Sequence, residues 1–102
     1  MAITNTTLGT SVANIHVSSG NTVVSVAYIC NLDTSARTFN LYAVQTSGTA
    51  GGTNQIYSNV QIASKDTFVI DMEKLVLANG ESLKANIDSG SSVVATVSYV
   101  GI

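Results

Sequence analysis

Few side chains in this sequence could do chemistry, and each can be weighed by what that chemistry demands. A nucleophilic hydrolase needs a base beside its serine or cysteine, and His16 is the single histidine. Alternation along Val12 to Val17 turns Ala13, Ile15 and Val17 one way and Val12, Asn14 and His16 the other. His16 is thus expected to face outward, as a surface or interface residue with no serine or aspartate marked as its partner. Zinc requires three or four His/Cys ligands, where one subunit offers one of each. Cys30, within the apolar run Val23 to Cys30, reads as a small buried hydrophobe, and a lone cysteine allows no disulfide within the chain. Asp71 and Glu73 share a strand face by spacing, with Glu81 and Asp88 on a neighbouring hairpin, and paired carboxylates can serve glycosidases or calcium. Lys74 and Lys84 stand close enough in sequence to compensate them and there is no tryptophan, so a solvated rim of charge is the reading adopted. Gly51-Gly52 lacks the following Lys-Ser/Thr and helix of a phosphate loop. No residue is assigned to catalysis, a cofactor or a metal. The interface or ligand candidates are Tyr42, Tyr57, His16, Gln45 and Asn54. Exposed tyrosines on a sheet suit an interface or sugar stacking, and the Thr46 to Gln55 loop lies beside them.

The chain that must position these residues has 102 of them, 45% hydrophobic and only 10% charged. That size fits one domain, close to the smallest that supports a two-layer core without disulfides or metals. Its surface must be built from Thr, Ser, Asn and Gly, which repel one another less than ions do and suit contact with other subunits. Four basic residues, Arg37, Lys65, Lys74 and Lys84, are scattered against six acidic ones. Nucleic-acid binding draws on clustered cations, so it is not expected. No apolar run approaches the ~20 residues that span a bilayer, so no membrane is expected either. The start MAITNTTLGTSV lacks the basic and apolar stretches of a secretion signal, which points to synthesis in a cytoplasm.

Proline is absent and glycine marks the turns, as in proteins made of many short strands. Residues 1–10 read as an arm or edge extension and residues 11–102 as one domain. Strands are expected at Ala13 to Val17, Val23 to Cys30, Arg37 to Gln45, Ile56 to Ile62 and Thr67 to Met72. Phe39, Leu41 and Ala43 should point inward and Thr38, Asn40 and Tyr42 outward. Ile56, Val60 and Ile62 should lie opposite to Tyr57, Asn59 and Gln61. Thr46 to Gln55, TSGTAGGTNQ, reads as a mobile surface loop. Met72 to Leu75 has room for a helical turn too short to stand alone. Asn79-Gly80, between apolar runs, predicts a tight hairpin closed by a type I′ turn, with Leu83, Ala85 and Ile87 facing the core on the return arm. A last strand from Val93 to Ile102 should be tied into the core, with Val97 and Tyr99 held firmly. Eight short strands and one long loop predict an antiparallel β-sandwich of jelly-roll or Greek-key type, with edges that bulges, the arm or another subunit must cover.

The stretches VVSVAYICN (Val23 to Asn31), FNLYAV (Phe39 to Val44), NQIYSNVQIASKDTFVIDMEKLVLANGESLKA (Asn54 to Ala85) and VVATVSYVGI (Val93 to Ile102) cover most of the chain. Together they resemble small virion structural proteins of tailed bacteriophages, especially those of marine and cyanobacterial hosts. The resemblance implies a noncatalytic particle component, a capsid decoration or cement protein bound as a homo-oligomer to other virion proteins, chiefly the major capsid protein. The alternative within the same resemblance is a neck, baseplate or tail-fibre component. A receptor-binding or carbohydrate-binding module using Tyr42, Tyr57 and the Thr46 to Gln55 loop is the alternative from another class.

Overall fold

Strand-forming residues fill this chain so evenly that turns alone divide it. The computed structural model describes residues 2–102, and the side chains of all of these except 73 and 74. Eight strands follow in order: β1 (Ala2–Leu8), β2 (Ala13–Val17), β3 (Thr22–Asn31), β4 (Arg37–Val44), β5 (Gln55–Ile62), β6 (Thr67–Leu77), β7 (Ser82–Ile87) and β8 (Val93–Gly101). They form two four-stranded antiparallel sheets, β1-β8-β3-β6 and β2-β7-β4-β5. β1 pairs with β8, β2 with β7, β3 with β6 and β4 with β5. The chain is therefore one long hairpin rolled so that successive pairs alternate between sheets, an antiparallel sandwich whose strand order is compatible with a jelly roll.

The core lies between the sheets. Phe39, Leu41, Leu83, Ala85 and Ile87 from one sheet meet Leu8, Val24, Ala27, Ile29, Val93, Ala95 and Val97 from the other, all buried. Leu83, Ala85 and Ile87 face inward as their period-two spacing predicts.

The Asn79-Gly80 turn sits where expected but does another task. β6 and β7 belong to different sheets, so no hairpin forms. The Glu81 N–H donates to the Ala78 carbonyl at 3.0 Å, and φ is positive at Gly80 (+86°) but not at Asn79. That is the backbone of a type II turn, whereas type I′ needs positive φ at both central residues. Contacts from outside the turn decide the matter. Gly80 N–H donates to the Ser18 carbonyl, Ser18 N–H to the Glu81 carbonyl, and Gly20 N–H to Asn79 Oδ1, all at 2.8 Å. The turn is thereby fastened to the β2–β3 connection and sends the chain across the sandwich. Among the described residues only β4 and β5 form a hairpin between consecutive strands, and the Gly/Thr-rich loop closes it.

Two further departures cancel in the strand count. Residues 2–8 take the edge-extension form of the two expected, adding the strand β1 to the edge of the first sheet, while Met1 lies outside the described residues. Met72 to Leu75 holds no helical turn. β6 runs through it as a bulge in which residues 72–74 oppose Ser25 of β3, merging two expected strands into one. Ile102 lies past the end of β8 and is 72% exposed, held by its N–H donating to the Asn21 carbonyl. The long loop is also more than a bond-free excursion. Gly51 N–H donates to Asn54 Oδ1, Asn54 Nδ2 to the Thr49 carbonyl, and Thr46 Oγ1 to the Asn79 carbonyl.

Candidate functional site

Bulges decide where the candidate side chains point. In β2 the register slips between Asn14 and His16, so Ile15 and His16 both turn inward and Val17 is left 50% exposed. His16, expected outside, is buried between the sheets at 4% exposure. Its Nε2 lies 3.1 Å from Thr22 Oγ1, and its ring centroid is 4.3 Å from that of Tyr99. Thr22 Oγ1 in turn contacts Ser18 Oγ at 2.8 Å, and Ser18 Oγ lies within hydrogen-bonding distance of the Gly20 and Leu77 carbonyls. Burial lowers the His16 pKa below its ordinary value and keeps the imidazole neutral. The histidine thus links β2 to β3 inside the sandwich.

In β5, Ser58 and Asn59 oppose the single residue Asn40, with Asn59 at φ +50°, and Ile56 is a second extra residue nearby. Parity reverses as a result. Ile56 is 44% exposed, whereas Tyr57 packs on the core with its ring 6.1 Å from Phe39 and 5.9 Å from Phe68. Tyr42 keeps its expected outward position, half-buried between Gln55 of β5 and Lys84 of β7. The two tyrosines occupy opposite faces of one sheet and cannot form a joint stacking platform.

Gln45 and Asn54 do come together. With Ala43, Gly48, Thr53, Gln55 and Ile56 they line an open groove of about 590 Å³ under the β4–β5 loop. Gln45 and Gly48 also border a smaller hollow of about 180 Å³, whose other wall includes Val17, Ser82 and Lys84. Most lining amides are already engaged: Asn54 braces the loop, and Gln55 Nε2 donates to Asn40 Oδ1 at 2.9 Å. Asn40 Nδ2 donates to Asn86 Oδ1 at 3.0 Å, and Asn86 Nδ2 to the Thr10 carbonyl at 3.2 Å. A ladder of amides therefore runs across the outer face of this sheet. The arrangement can accept uncharged polar groups, and the residues lining the groove include no histidine, cysteine or carboxylate.

Glu81 and Asp88 do not meet. Glu81 Oε1 accepts the Ala78 N–H and Asp88 Oδ1 accepts the Thr38 N–H, at opposite ends of β7. Six strand residues lie between them, roughly 20 Å at a strand's rise per residue, well beyond the separations at which two carboxyls cooperate on a glycosidic bond. Asp71 is exposed on β6, and the side chains of Glu73 and Lys74 lie outside the described residues. No group of three His, Cys, Asp or Glu among the described residues could hold a metal ion. Cys30 is half-buried on the outer face of its sheet, less enclosed than its apolar run suggests.

Two polar residues emerge that sequence reasoning passed over as turn formers. Asn31 is fully buried, with Nδ2 within reach of the Ser35, Ile62 and Ala63 carbonyls at 3.0, 3.1 and 3.3 Å and Oδ1 accepting the Asp33 N–H. Asp33 pairs with Arg37 at 3.0 Å. Desolvation opposes its charge, but the Thr34 and Ser35 amides and the Arg37 guanidinium outweigh that and hold its carboxyl below the usual carboxylate range. The signal available for Asn31 was its place at the end of an apolar strand, where an amide has no solvent to bind.

In comparison with known proteins, the chain matches no family model, no curated protein and no solved structure.

Proposed function

We propose that this chain is a noncatalytic structural protein of a bacteriophage particle, made in the host cytoplasm and bound to the shell as a decoration or cement subunit. One observation carries the reading: the outer face of the β1-β8-β3-β6 sheet exposes large apolar side chains among uncharged Thr, Ser and Asn. Ile3, Tyr28, Val69, Val76 and Val100 are between 37% and 62% exposed there, and Asp71 is the one charged side chain among the described residues of that face. Such a face favours contact with other subunits, the major capsid protein among them, at about 25 cal/mol per Å² of apolar surface removed from water. Repetition over a symmetric shell multiplies a modest gain per copy. The sequence resemblance supports a place on the particle, and viral capsid domains are among the users of the jelly roll. A neck, baseplate or fibre position would draw on the same face. The neutral, buried His16 and the wide separation of Glu81 from Asp88 support a role without bond-making or bond-breaking.

A second reading is favoured by the amide-lined groove at Gln45 and Asn54, which suits a glycan on a receptor. One experiment separates the two. Particles assembled without the protein should lose resistance to heat and regain it on adding the purified chain, with host adsorption unchanged. Unchanged particle stability, together with glycan binding that Gln45→Ala abolishes, would overturn the structural role.

A further inference from the structure

A sandwich of two open sheets has four edge strands, and three of them are protected here. β2 slips register at Ile15, β5 slips twice around Asn59 and Ile56, and β6 bulges at residues 72–74 within the charged sequence Asp71-Met72-Glu73-Lys74. Bulges and charges of this kind keep an edge from pairing with another chain. β1 has neither. Its sequence, Ala-Ile-Thr-Asn-Thr-Thr-Leu, contains no charge, glycine or proline, and all seven residues pair with β8 without a slip.

Among the described residues β8 is the one strand that pairs with β1. Toward β2, Thr4 Oγ1 donates to the Ile15 carbonyl at 2.9 Å. Every second N–H and C=O on that side of β1 therefore lacks a strand partner. Ala2, Ile3, Asn5 and Thr7 are exposed.

We infer that β1 pairs with β1 of a second copy, antiparallel about a two-fold axis, to join two sandwiches edge to edge. The register follows from symmetry. An axis perpendicular to the sheet keeps outward residues outward, so paired residue numbers must sum to an even value. A sum of ten gives the longest overlap and uses all of β1: Asn5 faces Asn5, Ile3 faces Thr7, Thr4 faces Thr6 and Ala2 faces Leu8. No pair sets like charges together. The joined sheet has eight strands, and the apolar outer faces of the two copies become one surface. The inference rests on the structural reading above only for its purpose, since a wider apolar surface would span neighbouring shell subunits; the edge geometry is independent of it.

Directly opposed residues of an antiparallel pair have Cα atoms about 4.5–5.5 Å apart, within the range a disulfide needs. In a Cys30→Ser background, Asn5→Cys should therefore yield a covalent dimer on mild oxidation. Thr7→Cys should not, because its two copies would sit four residues apart along the paired strands, roughly 13 Å. Sedimentation of the unmodified chain should give twice its 10.5 kDa mass. Asn5→Lys, which sets two ammonium groups face to face, should shift it to the single-chain mass with an unchanged circular dichroism spectrum. A monomeric unmodified chain overturns the inference, as does a dimer that crosslinks equally at both positions or at neither. A monomer that still coats particles overturns edge pairing and leaves the structural role standing. A dimer linked at residue 5 that coats nothing supports the pairing and overturns that role.

Discussion

The two ends of the sandwich are closed by different means. At one end, where β3 leads to β4 and β5 to β6, a single fully buried amide, Asn31, ties three backbone carbonyls and one N–H together. At the other, where β2 leads to β3 and β6 to β7, a chain of side chains runs from His16 through Thr22 to Ser18, and a glycine turn rests on Thr46. The first closure is concentrated in one buried amide that does not itself titrate, with the half-buried Asp33–Arg37 pair beside it. The second is spread over several side chains, one of them a buried histidine, and depends on a backbone conformation as well. Concentration makes the first end the more fragile to a single substitution, and the histidine makes the second the one that responds first as pH falls.

Asn31→Leu is the largest expected break in that contrast. It leaves the buried Ile62 carbonyl and the part-buried Asp33 N–H and Ser35 carbonyl without the amide, while the Ala63 carbonyl keeps the Asp66 N–H; at about 1–3 kcal/mol for each group left unsatisfied, a loss of roughly 3 kcal/mol is expected in denaturant unfolding. A marginally stable domain of this size would lose a large part of its total. Gly80→Ala tests the opposite end. A Cβ there would lie 2.9 Å from Thr46 Cγ2 on a residue already at φ +86°. The left-handed backbone costs about 1–2 kcal/mol for an L-residue, and Thr46 must also turn away, so about 2 kcal/mol should be lost. Adding Thr46→Ser removes the obstructing methyl. It should return part of the loss in a double-mutant cycle, while the backbone part remains.

How much of this was legible in the sequence follows the same division. Strand positions and the sandwich were readable because period-two alternation survives in β4, β7 and β8, where Phe39, Leu83 and Val97 all face the core. Reading failed wherever one extra residue reversed the parity. His16 and Tyr57 were assigned to the wrong faces by the slips at Ile15 and at Ser58-Asn59, and nothing in the residue types announces those bulges. Asn79-Gly80 was found as a turn, but its partner strands were misassigned because three hydrogen bonds from the Ser18–Gly20 segment, 59 or more residues away, outvote local hairpin preference. Of the five candidate residues, Gln45 and Asn54 meet at one groove, Tyr42 holds its outward place, His16 is buried between the sheets and Tyr57 packs against the core.

Acidification should sharpen the comparison with effects smaller than either substitution. His16 has a lowered pKa in the folded state, so the unfolded chain binds its proton first. Its contribution is complete above the ordinary histidine value and is lost as pH falls from there through the folded pKa. Asp33, also lowered, contributes above the ordinary carboxylate value and fades only as pH falls below it. A plot of unfolding midpoint against pH should therefore descend in two separated stages. His16→Phe should remove the upper stage alone, and Asp33→Asn should diminish the lower one. A midpoint that stays flat across the histidine range in the unmodified chain would contradict the buried, neutral imidazole.

The smallest effect concerns glycines that share an end of the molecule with Gly80 but not its constraints. A Cβ at Gly51 or Gly52 would meet nothing within 4 Å, and neither residue has positive φ. Replacing Gly51 with alanine removes freedom mainly from the unfolded chain, a gain of up to about 1 kcal/mol where the native backbone suits alanine. Gly51 N–H still reaches Asn54 Oδ1, so the loop's own bracing is untouched. Gly51→Ala should thus shift the unfolding midpoint by no more than a few degrees, and upward, while Gly80→Ala lowers it. If both substitutions destabilised equally, composition rather than backbone geometry would be governing this end, and the distinction between a dispersed closure and a generic glycine-rich loop would fail.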